Sequence, residues 1–312
     1  MKVLLSSAGA KVPLLQALKT AAVRLQPDAV VIAGDSSKPV VSQYFADHFW
    51  HMPLCNESNL HAIKEGLAEY QITHIVPSRD GELMFWSEQK EALKPLGIEV
   101  LVSAEEVIRL CLDKFNFAQV NTHPQCKVIP ALLHPDESAN LWVVKERYGA
   151  GSQNIGLKLT TQEALHHAKT MQSPLYQPFI QGTEISVDAW LDKQSQLKGH
   201  IFRYRTKVQH GESQISQTVS LPQYDAQIKT LLEQLQLTGP VVLQAIIDHQ
   251  QQLHIIECNS RFGGASTLGI KAGVDSLYWS LAESMAMDLT QMPFTPSSQT
   301  ITQVRYAGDL YL

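Results

Sequence analysis

Three polar side chains on alternate residues close an apolar run. Glu257, Asn259 and Arg261 follow "LHII" and precede two adjacent glycines. Successive side chains of a strand point to opposite faces, so the three share one face if the strand persists. Carboxylate and amide oxygens suit Mg²⁺ or Mn²⁺, and an arginine fork binds a phosphoryl or carboxylate oxygen. The pattern predicts a metal and anion site at the mouth of a strand.

A hairpin supplies a further ligand to this site. The stretch "PVVLQAIIDHQQQLHIIECN" predicts two strands, and a turn centred between residues 250 and 251 sets Gln244 opposite Glu257. The same register sets Val242 opposite Asn259. Gln244 then joins the polar face as a third oxygen ligand. The alternative is a surface strand end with solvated side chains, but the run "HIIEC" is too apolar for that.

A second motif combines a lysine with a glycine turn. In "VVKERYGAGSQNIG", Lys145 precedes the glycines, whereas a Walker loop has its lysine after them. A strand still delivers an ammonium group, and a turn through Gly149, Gly151 and Ser152 can fold backbone N–H groups over phosphoryl oxygens. A glycine turn between strands is also a common plain hairpin, so this motif indicates phosphate binding only together with the others.

Two further stretches can serve the same ligand. In "FRYRTKV", Arg203, Arg205 and Lys207 recur with period two and predict a positive stripe on one strand face. A solvated face balanced by acids is the alternative. In "SPLYQPFIQGTEISVDAW", Glu184 stands seven residues after Gln177. A hinge of this kind can present backbone groups to an adenine edge and a carboxylate to ribose hydroxyls.

Composition and charge narrow the class of protein. The chain has 312 residues, of which 44% are hydrophobic and 18% charged, and this predicts two or three lobes with a cleft between them. The net charge of −5 and the lack of long basic runs argue against a nucleic-acid or acidic-membrane partner.

The cysteines and the first residues favour the cytoplasm. The four cysteines are scattered without zinc spacing, which is typical of reduced thiols. The apolar run Val3–Leu5 is too short for a secretory signal, and no stretch of the sequence has the length and apolarity of a membrane span. We therefore expect a cytoplasmic protein with no membrane partner.

Strands and helices alternate from residue 1 to about residue 110. "KVLLS", "AVVIAG", "HIVPS" and "IEVLV" predict strands, while "PLLQALKTAAVRL", "VVSQYFADHF" and "GELMFWSEQKEALKPL" predict helices. This order predicts a doubly wound parallel sheet, which binds ligands beyond the carboxyl ends of its strands. Gly9 stands alone where a dinucleotide fold would have GxGxxG, which argues against a nicotinamide cofactor.

Long alternating strands joined by hairpins follow residue 111 and predict antiparallel sheets. Helical stretches separate them at Ala104–Ala118, Gln162–Thr170 and Ala226–Gln236. The predicted fold class is therefore α/β in the N-terminal part and α+β in the C-terminal part.

These motifs, in this order, resemble the ATP-grasp superfamily, and in particular its carbamoyl-phosphate-synthase-like carboxylate–amine ligases. The most specific motifs are "KERYGAGSQNIG" and "IECNSRFGGAST". The resemblance covers the whole chain. It implies a Rossmann-like pre-grasp domain at 1–110, a small lid subdomain of the ATP grasp at 111–180 and a C-terminal subdomain with the metal site at 181–312.

The resemblance also implies a role for each motif residue. It implies that two lysines and the glycine turn bind the phosphates, that the hinge binds the adenine and that a glutamate binds the ribose. The implied nucleotide-binding residues are Lys114, Lys145, Gly149, Gly151, Ser152, Gln177, Phe179, Ile180 and Glu184. The implied metal ligands are Gln244, Glu257 and Asn259, and the implied catalytic residues are Arg261, Arg205 and Lys145.

Two positions depart from the pattern of the superfamily. Glu146 stands where a proline often follows the lysine, and Ser260 stands where a proline often separates the asparagine from the arginine. Neither departure removes a ligand. Strand alternation from Lys145 predicts that Glu146 faces away from the phosphate site.

The implied protein is a ligase that uses ATP and Mg²⁺ or Mn²⁺. A substrate carboxylate is phosphorylated, and an amine then attacks the acyl phosphate to give an amide, ADP and phosphate. Its partners are small-molecule carboxylates and amines, with a homodimer as a further expectation. The second substrate is expected against the N-terminal domain, where Asp80 or Glu82 could hold an amine and Arg79 a carboxylate. A charged helix N-terminus explains these three residues equally well.

Two other functions stay open. A subunit that phosphorylates bicarbonate or carbamate would need a glutaminase, a biotin carrier or a second synthetase half, for which this chain has no room. A non-catalytic ATP sensor would keep the nucleotide clamp without turnover. Such a sensor could lose Asn259 or Arg261, and both residues are present.

Overall fold

The computed structural model of the chain describes residues 1–120, 126–149, 151, 154–209 and 211–312. Its N-terminal part contains strands β1 (Lys2–Ser6), β2 (Val30–Asp35), β3 (His48–His51), β4 (His74–Val76) and β5 (Glu99–Val100) and helices α1 (Val12–Leu25), α2 (Leu60–Glu69), α3 (Asp80–Leu93) and α4 (Glu105–Leu112). The five strands are parallel, in the order β3-β2-β1-β4-β5.

Both faces of this parallel sheet are buried. Val3 and Leu5 of β1 pack with residues of α1 on one face, whereas Leu4 packs with residues of α2 and α3 on the other. A parallel sheet needs such cover on both sides because its crossover helices lie on its faces. The predicted doubly wound sheet is therefore confirmed.

One predicted helix in this domain is wrong. The stretch 40–49 forms a short 3-10 helix at Val41–Tyr44 and then enters β3, which pairs with β2. Trp50 of β3 is buried and packs on Gly66 of α2, where an added Cβ would lie 2.0 Å from the indole ring. Tertiary packing of Trp50 therefore overrides the helical pattern of this stretch.

The middle of the chain forms helix α5 (Lys114–Phe117), strands β6 (Cys126–Val128), β7 (Trp142–Glu146), β8 (Gly156–Leu159) and β9 (Pro174–Pro178), and helix α6 (Thr161–Ala168). β7 pairs antiparallel with both β8 and β9 in a three-stranded sheet. Helix α6 begins with a capping box between Thr160 and Glu163. Its buried residue Ala164 packs with Trp142 and Tyr176 of the sheet.

The last part of the chain builds a larger sheet. It contains strands β10 (Gly182–Leu191), β11 (Leu197–Gln209), β12 (Glu212–Val219), β13 (Gly239–Asp248), β14 (Leu253–Asn259) and β15 (Thr302–Val304) and helices α7 (Asp225–Gln234), α8 (Ser266–Lys271) and α9 (Ser276–Ser284). With β6 they form seven strands in the order β15-β12-β11-β10-β13-β14-β6, in which only β14 and β6 pair in parallel.

The two faces of the seven-stranded sheet differ. Val187, Leu243 and Ile255 lie on one face, in a large apolar core with residues of α7. Residues between them along the same strands carry charge or amide groups, among them Asp188 and Gln244. The alternation of a half-covered antiparallel sheet thus provides one polar face.

The predicted helical stretches at 104–118, 162–170 and 226–236 correspond to α4 with α5, to α6 and to α7. The domain bounds at 110 and 180 remain a proposal, and we note that β6, inside 111–180, pairs with the seven-stranded sheet. All four cysteines are free. Within the described ranges, no helix has the length and apolarity needed to cross a membrane.

Candidate active site

The hairpin of β13 and β14 has the predicted register at its polar end. Gln244 lies opposite Glu257, and Val242 lies opposite Asn259. The turn itself was predicted wrongly by half a residue: the N–H of Asp248 donates to the carbonyl of Gln252 (3.1 Å), so the turn is centred on Gln250.

A β-bulge reconciles these two observations. Ala245 pairs with Ile255 and Gln244 with Glu257, so Ile256 is an extra residue on β14. Leu253 and Ile255 are buried in the apolar core, and without the bulge Glu257 would continue on their face. The extra residue turns the carboxylate to the polar face instead and leaves the next residue, Cys258, buried.

The polar residues at the end of β14 contact one another. The amide of Asn259 donates to Oε1 of Glu257 (3.3 Å), and Nη2 of Arg261 lies 3.4 Å from Oδ1 of Asn259. Arg261 also forms a two-pronged ion pair with Asp80 at the start of α3, with Nε 2.7 Å from Oδ1. Three of the predicted residues thus meet at the edge of the N-terminal sheet.

Arg205 of β11 connects other predicted residues. Its guanidinium forms an ion pair with Glu184 and donates to Oε1 of Gln244 (3.1 Å) and to the carbonyl of Gly211 (2.8 Å). The predicted ribose acid and one predicted metal ligand are therefore partners of the same arginine. Lys207 is exposed, because a bulge after Arg205 shifts the strand.

The polar face also carries a buried ion pair between Arg203 and Asp188. Arg203 is buried, and its Nε donates to Asp188 (2.7 Å). Asp188 accepts a hydrogen bond from Ser266 (3.3 Å), whose hydroxyl oxygen accepts from the N–H of Gly263 (2.8 Å). The predicted positive stripe is thus divided, since Arg203 supports the glycine pair after Arg261 while Arg205 lies in the site.

Lys145 reaches the site from the three-stranded sheet. The pKa of its ammonium group is lowered to about 8, mainly by burial, with a raising contribution from the carboxylate of Glu257 and a lowering one from the charge of Lys114. Its neighbour Glu146 faces away, as predicted, and accepts the backbone N–H groups of Gln172 (2.8 Å) and Ser173 (2.9 Å). Lys145 is therefore a buried cation, and the carboxylate of Glu146 is directed away from it.

The glycine turn after β7 is tied to Lys114. The Nζ atom of Lys114 donates to the carbonyl of Gly149 (2.6 Å). Gly149 and Gly151 have φ angles of 116° and 76°, a region that only glycine adopts freely. Ser152, the third predicted residue of the turn, lies outside the described residues.

Asp113 holds this turn in place, a role that the sequence interpretation missed. It caps α5 by accepting the N–H groups of Phe115 and Asn116 (both 3.1 Å). It also accepts from Nε of Arg147 (2.7 Å) and from the hydroxyl of Tyr148 (3.0 Å), the residues that lead into the turn. The signal was an aspartate directly before a short helical stretch.

The predicted hinge lies where the two C-terminal sheets join. Gln177 is buried at the end of β9 and donates to the carbonyl of Ile129 (3.0 Å). The N–H of Phe179 donates to the carbonyl of Leu141 (2.9 Å), and Ile180 is half-buried before β10 begins. The Gln177 side chain and the N–H of Phe179 are therefore both part of the hinge's own packing.

The three residues predicted for the second substrate have different positions. Glu82 is fully buried and accepts from Ser6 (2.8 Å) and Ser7 (2.9 Å) and from the N–H of Ser78 (2.8 Å), which makes it a structural carboxylate. Asp80 is engaged by Arg261. Arg79, which directly precedes Asp80, is exposed.

Lys11 is a further cation at this edge. Its Nζ donates to the hydroxyl of Ser78 (2.9 Å). Burial lowers its pKa to about 8, and among nearby charges Arg261 and Arg79 lower it while Glu82 and Asp80 raise it. Sequence reasoning did not select Lys11, since its partners come from distant parts of the chain.

The donor set fits magnesium better than a transition metal. Within the described residues, no group of three or more His, Cys, Asp and Glu side chains could hold a metal. Glu257, Asn259 and Gln244 instead offer one carboxylate and two amide groups on one face. Mg²⁺ uses few protein oxygens because phosphates and water complete its shell.

Two family models match the sequence. Residues 170–307 match the family described as "ATP-grasp in the biosynthetic pathway with Ter operon", and residues 3–101 match "PylC-like, N-terminal domain". No curated protein matches the chain.

Solved structures share the fold over most of the chain. The biotin carboxylase domain of 2-oxoglutarate carboxylase from Hydrogenobacter thermophilus, solved with ADP, magnesium and bicarbonate, matches 92% of this chain and 70% of that one, with a TM-score of 0.73 and 18% identity. For the L-amino acid ligase from Bacillus licheniformis the values are 96%, 78%, 0.70 and 13%. For N5-carboxyaminoimidazole synthetase from Staphylococcus aureus they are 92%, 77%, 0.68 and 13%.

The chain has the ATP-grasp fold, and it matches an ATP-grasp family over residues 170–307 and a PylC-like N-terminal domain over residues 3–101. The predicted fold class is confirmed. The similar structures include a ligase and a synthetase.

Proposed function

We propose that the protein is an ATP-dependent carboxylate–amine ligase. A carboxylate oxygen attacks the γ-phosphorus of ATP and ADP leaves. The amine nitrogen then attacks the acyl carbon, phosphate leaves, and the nitrogen loses a proton as the amide forms. The observation that carries the proposal is the position of Lys145, a buried cation of the three-stranded sheet within electrostatic reach of Glu257 on the seven-stranded sheet. Phosphoryl transfer depends mainly on such positioning and charge neutralisation.

The proposed nucleotide site follows the contacts around the hinge and the glycine turn. The backbone at 178–180 would meet the adenine, and Glu184 the ribose hydroxyls. Lys145 and Lys114 would contact the phosphates, with N–H groups of the glycine turn beside them. Lys114 already donates to the Gly149 carbonyl, so it would hold the turn as well as the charge.

The proposed metal site is the polar row of β13 and β14. Glu257, Asn259 and Gln244 would hold Mg²⁺, or Mn²⁺. Bound there, the metal would neutralise the phosphate oxygens and orient them for transfer. Glu184 and Gln244 are both partners of Arg205. We infer that these contacts give way to the ligands and leave Arg205 free for a phosphoryl oxygen.

Arg261 would complete the charge balance and meet the second substrate. It lies between Asn259 and Asp80, at the ligand-binding edge of the N-terminal sheet. Its guanidinium can stabilise charge on the transferred phosphoryl group while Asp80 fixes its orientation. Arg79 and Lys11, at the same edge, would attract a negatively charged group of the second substrate. A cytoplasmic homodimer remains part of the proposal.

A second candidate is phosphorylation of bicarbonate. It is favoured by the fold shared with the biotin carboxylase domain that was solved with bicarbonate, at a TM-score of 0.73. In that case bicarbonate would accept the phosphoryl group, and a partner protein would carry out the rest of the reaction. A non-catalytic ATP sensor is the third possibility, and it would bind nucleotide without turnover.

The test is an incubation of the purified protein with Mg-ATP and a pooled amine and carboxylate metabolite extract. ADP, phosphate and a new mass equal to two reactants less one water would establish the ligase. Bicarbonate-dependent ADP release without a new amide would favour the second candidate. AMP and pyrophosphate would refute the acyl-phosphate route, and saturable ATP binding without turnover in any mixture would favour the sensor.

A further inference from the structure

The last strand of the sheet carries an arginine towards the glycine pair after Arg261. β15 pairs with β12, with Gln303 opposite Ser216, and Ser216 in turn lies opposite Arg205 of β11. Gln303 therefore shares the polar face with Arg205. Arg305 follows two residues later and points to the same face, its backbone N–H donating to the carbonyl of Gln214 (2.9 Å).

The loop after Arg261 packs directly against Arg305. A Cβ added to Gly264 would lie 3.2 Å from Nη1 of Arg305 and 3.6 Å from Oε2 of Glu212. The preceding Gly263 packs on Val242, the strand neighbour of Asn259. A glycine at 264 thus allows a close approach between the metal-strand loop and Arg305.

Arg305 also contacts the start of β12. It forms an ion pair with Glu212, the first residue of β12. The adjacent Gly211 accepts from Arg205 (2.8 Å) and packs on Gly151, since its added Cβ would lie 2.6 Å from the Gly151 carbonyl carbon. Arg205 and Arg305 therefore bind two adjacent residues, Gly211 and Glu212, from the strands on either side of β12.

Its charge and its packing indicate that Arg305 can bind an anion. Among the described residues, Glu212 is the side chain to which Arg305 is bound. The side chain of Glu212 is 58% exposed and that of Arg305 is 28% exposed. An exposed ion pair of this kind is weak and exchanges readily. A guanidinium has a planar fork that matches a carboxylate or phosphoryl group, so a better partner can displace Glu212.

The strand that carries Arg305 is anchored to the same loop. The amide nitrogen of Gln303 donates to the hydroxyl of Thr267 (2.7 Å). Its amide oxygen is buried without a hydrogen-bond partner among the described residues. A buried acceptor without a partner is costly, so the position of Gln303 depends on its bond to Thr267.

We propose that Arg305 binds the carboxylate that is activated, and then the acyl phosphate formed from it, between the Gly263–Gly264 loop and the turn at Gly211. The identity of this occupant rests on the proposed function. Arg261 and Arg305 then face the reacting group from two sides, one fixed by Asp80 and the other released from Glu212. Arg305 is a specificity residue for the acyl substrate, and it does not bind the nucleotide.

The test uses acetylphosphonate, a stable mimic of an acyl phosphate, titrated calorimetrically into the protein saturated with Mg-ADP. We expect Arg305→Gln to weaken probe binding by about 10- to 100-fold, as for the loss of hydrogen bonds to a charged group. Arg305→Lys should retain part of the affinity. Glu212→Gln frees Arg305 and should tighten binding. Arg109→Gln, which removes an exposed arginine paired with Glu105 on α4, is the matched control.

Each outcome decides the inference. Unchanged probe affinity in Arg305→Gln overturns it, and so does failure of the wild type to bind the probe. A parallel loss of Mg-ADP affinity in both Arg305 variants assigns the arginine to the nucleotide and also overturns it. If the probe binds as expected but no amide forms in the metabolite incubation, the proposed ligase reaction fails while the anion site at Arg305 stands.

Discussion

Arg261 and Asp80 form a two-pronged ion pair although 181 residues separate them, with Nε of the arginine 2.7 Å from Oδ1 of the aspartate. Arg261 follows the metal strand β14, and Asp80 begins α3 at the carboxyl end of the parallel sheet. The pair therefore joins the proposed phosphate site to the proposed second-substrate site. Only 17% and 16% of the two side chains are exposed, so solvent screens the pair weakly.

Asp80→Asn should lower the free energy of unfolding. The arginine would keep one of its two hydrogen bonds but lose the other together with its counter-charge, and loss of a hydrogen bond to a charged group costs about 1.5–3 kcal/mol. Urea denaturation measures the change. Asp28→Asn, on an exposed aspartate, is the control. Equal stability of the two variants would mean that the pair does not hold the domains together.

Lys145→Ala should weaken ATP binding by about 10- to 100-fold, since a buried ammonium group then no longer meets the phosphates. The measurement is the Kd of Mg-ATP by calorimetry. Lys127→Ala removes an exposed lysine on β6 and should bind ATP as the wild type does. If both variants bind equally well, the phosphate role of the Lys145 motif is wrong.

Glu257→Gln should strongly reduce turnover while the fold is retained. The amide keeps the shape of the side chain but removes the only carboxylate among the three proposed ligands, and a loss on the order of 100-fold in ADP release is expected. The variant should also need more Mg²⁺ for half-maximal activity. Glu106→Gln, on an exposed residue of α4, controls for loss of charge. Intact Mg-ATP turnover in Glu257→Gln would refute the metal assignment.

The hairpin shows how far sequence could lead. The pairing of Gln244 with Glu257 was predicted correctly, from a turn placed between residues 250 and 251. The predicted turn was shifted, and the extra residue at Ile256 compensated for it. A bulge has no local sequence signal here, so the correct pairing at the site depended on packing that only the folded sheet reveals.

Other parts of the site could not be predicted because their partners are distant in sequence. The polar residues of the motifs identified Arg261 and Asp80 separately, but nothing local indicates that they pair. Lys11 acquires its environment from Ser78 and from charges on two domains. The incorrect prediction of a helix at 40–49 has the same cause, since burial of Trp50 against Gly66 favours a strand there.

Lys11→Met should change how stability depends on pH. The pKa of Lys11 is about 8 in the folded protein and 10.5 for a free lysine, so the unfolded chain binds more protons between these values. The free energy of unfolding of the wild type should therefore rise with pH in that window, by at most about 1.4 kcal/mol per unit, relative to the variant. Lys145 contributes equally to both proteins.

Urea denaturation of the two proteins at pH 7, 8, 9 and 10 provides the comparison for Lys11. The stability difference should be constant below pH 8 and should move in favour of the wild type above it. Lys127→Met, on an exposed lysine, should run parallel to the wild type throughout. A constant difference for Lys11→Met across the whole range would mean that the ammonium group is not held in a desolvated position.

Asp113→Asn should loosen the glycine turn from a distance. Burial opposes ionisation of Asp113, but the hydrogen bonds from Arg147, from the N–H of Asn116 and from Tyr148 hold the pKa of this carboxyl below its usual value of 3.8. The ionised group thus stabilises the fold above that pH, and this contribution is lost as pH falls through the lowered pKa. The asparagine still caps α5 but no longer neutralises Arg147.

For Asp113→Asn we therefore expect a loss of about 1.5–3 kcal/mol at pH 7, which shrinks as pH falls below about 4. Mg-ATP affinity should fall as well, because Arg147 and Tyr148 lead directly into the turn that Lys114 and Gly149 close. Asp136→Asn, which alters an exposed aspartate outside the site, is the matched control. A stability loss without any change in Mg-ATP affinity would separate the cap from the turn and limit Asp113 to holding α5.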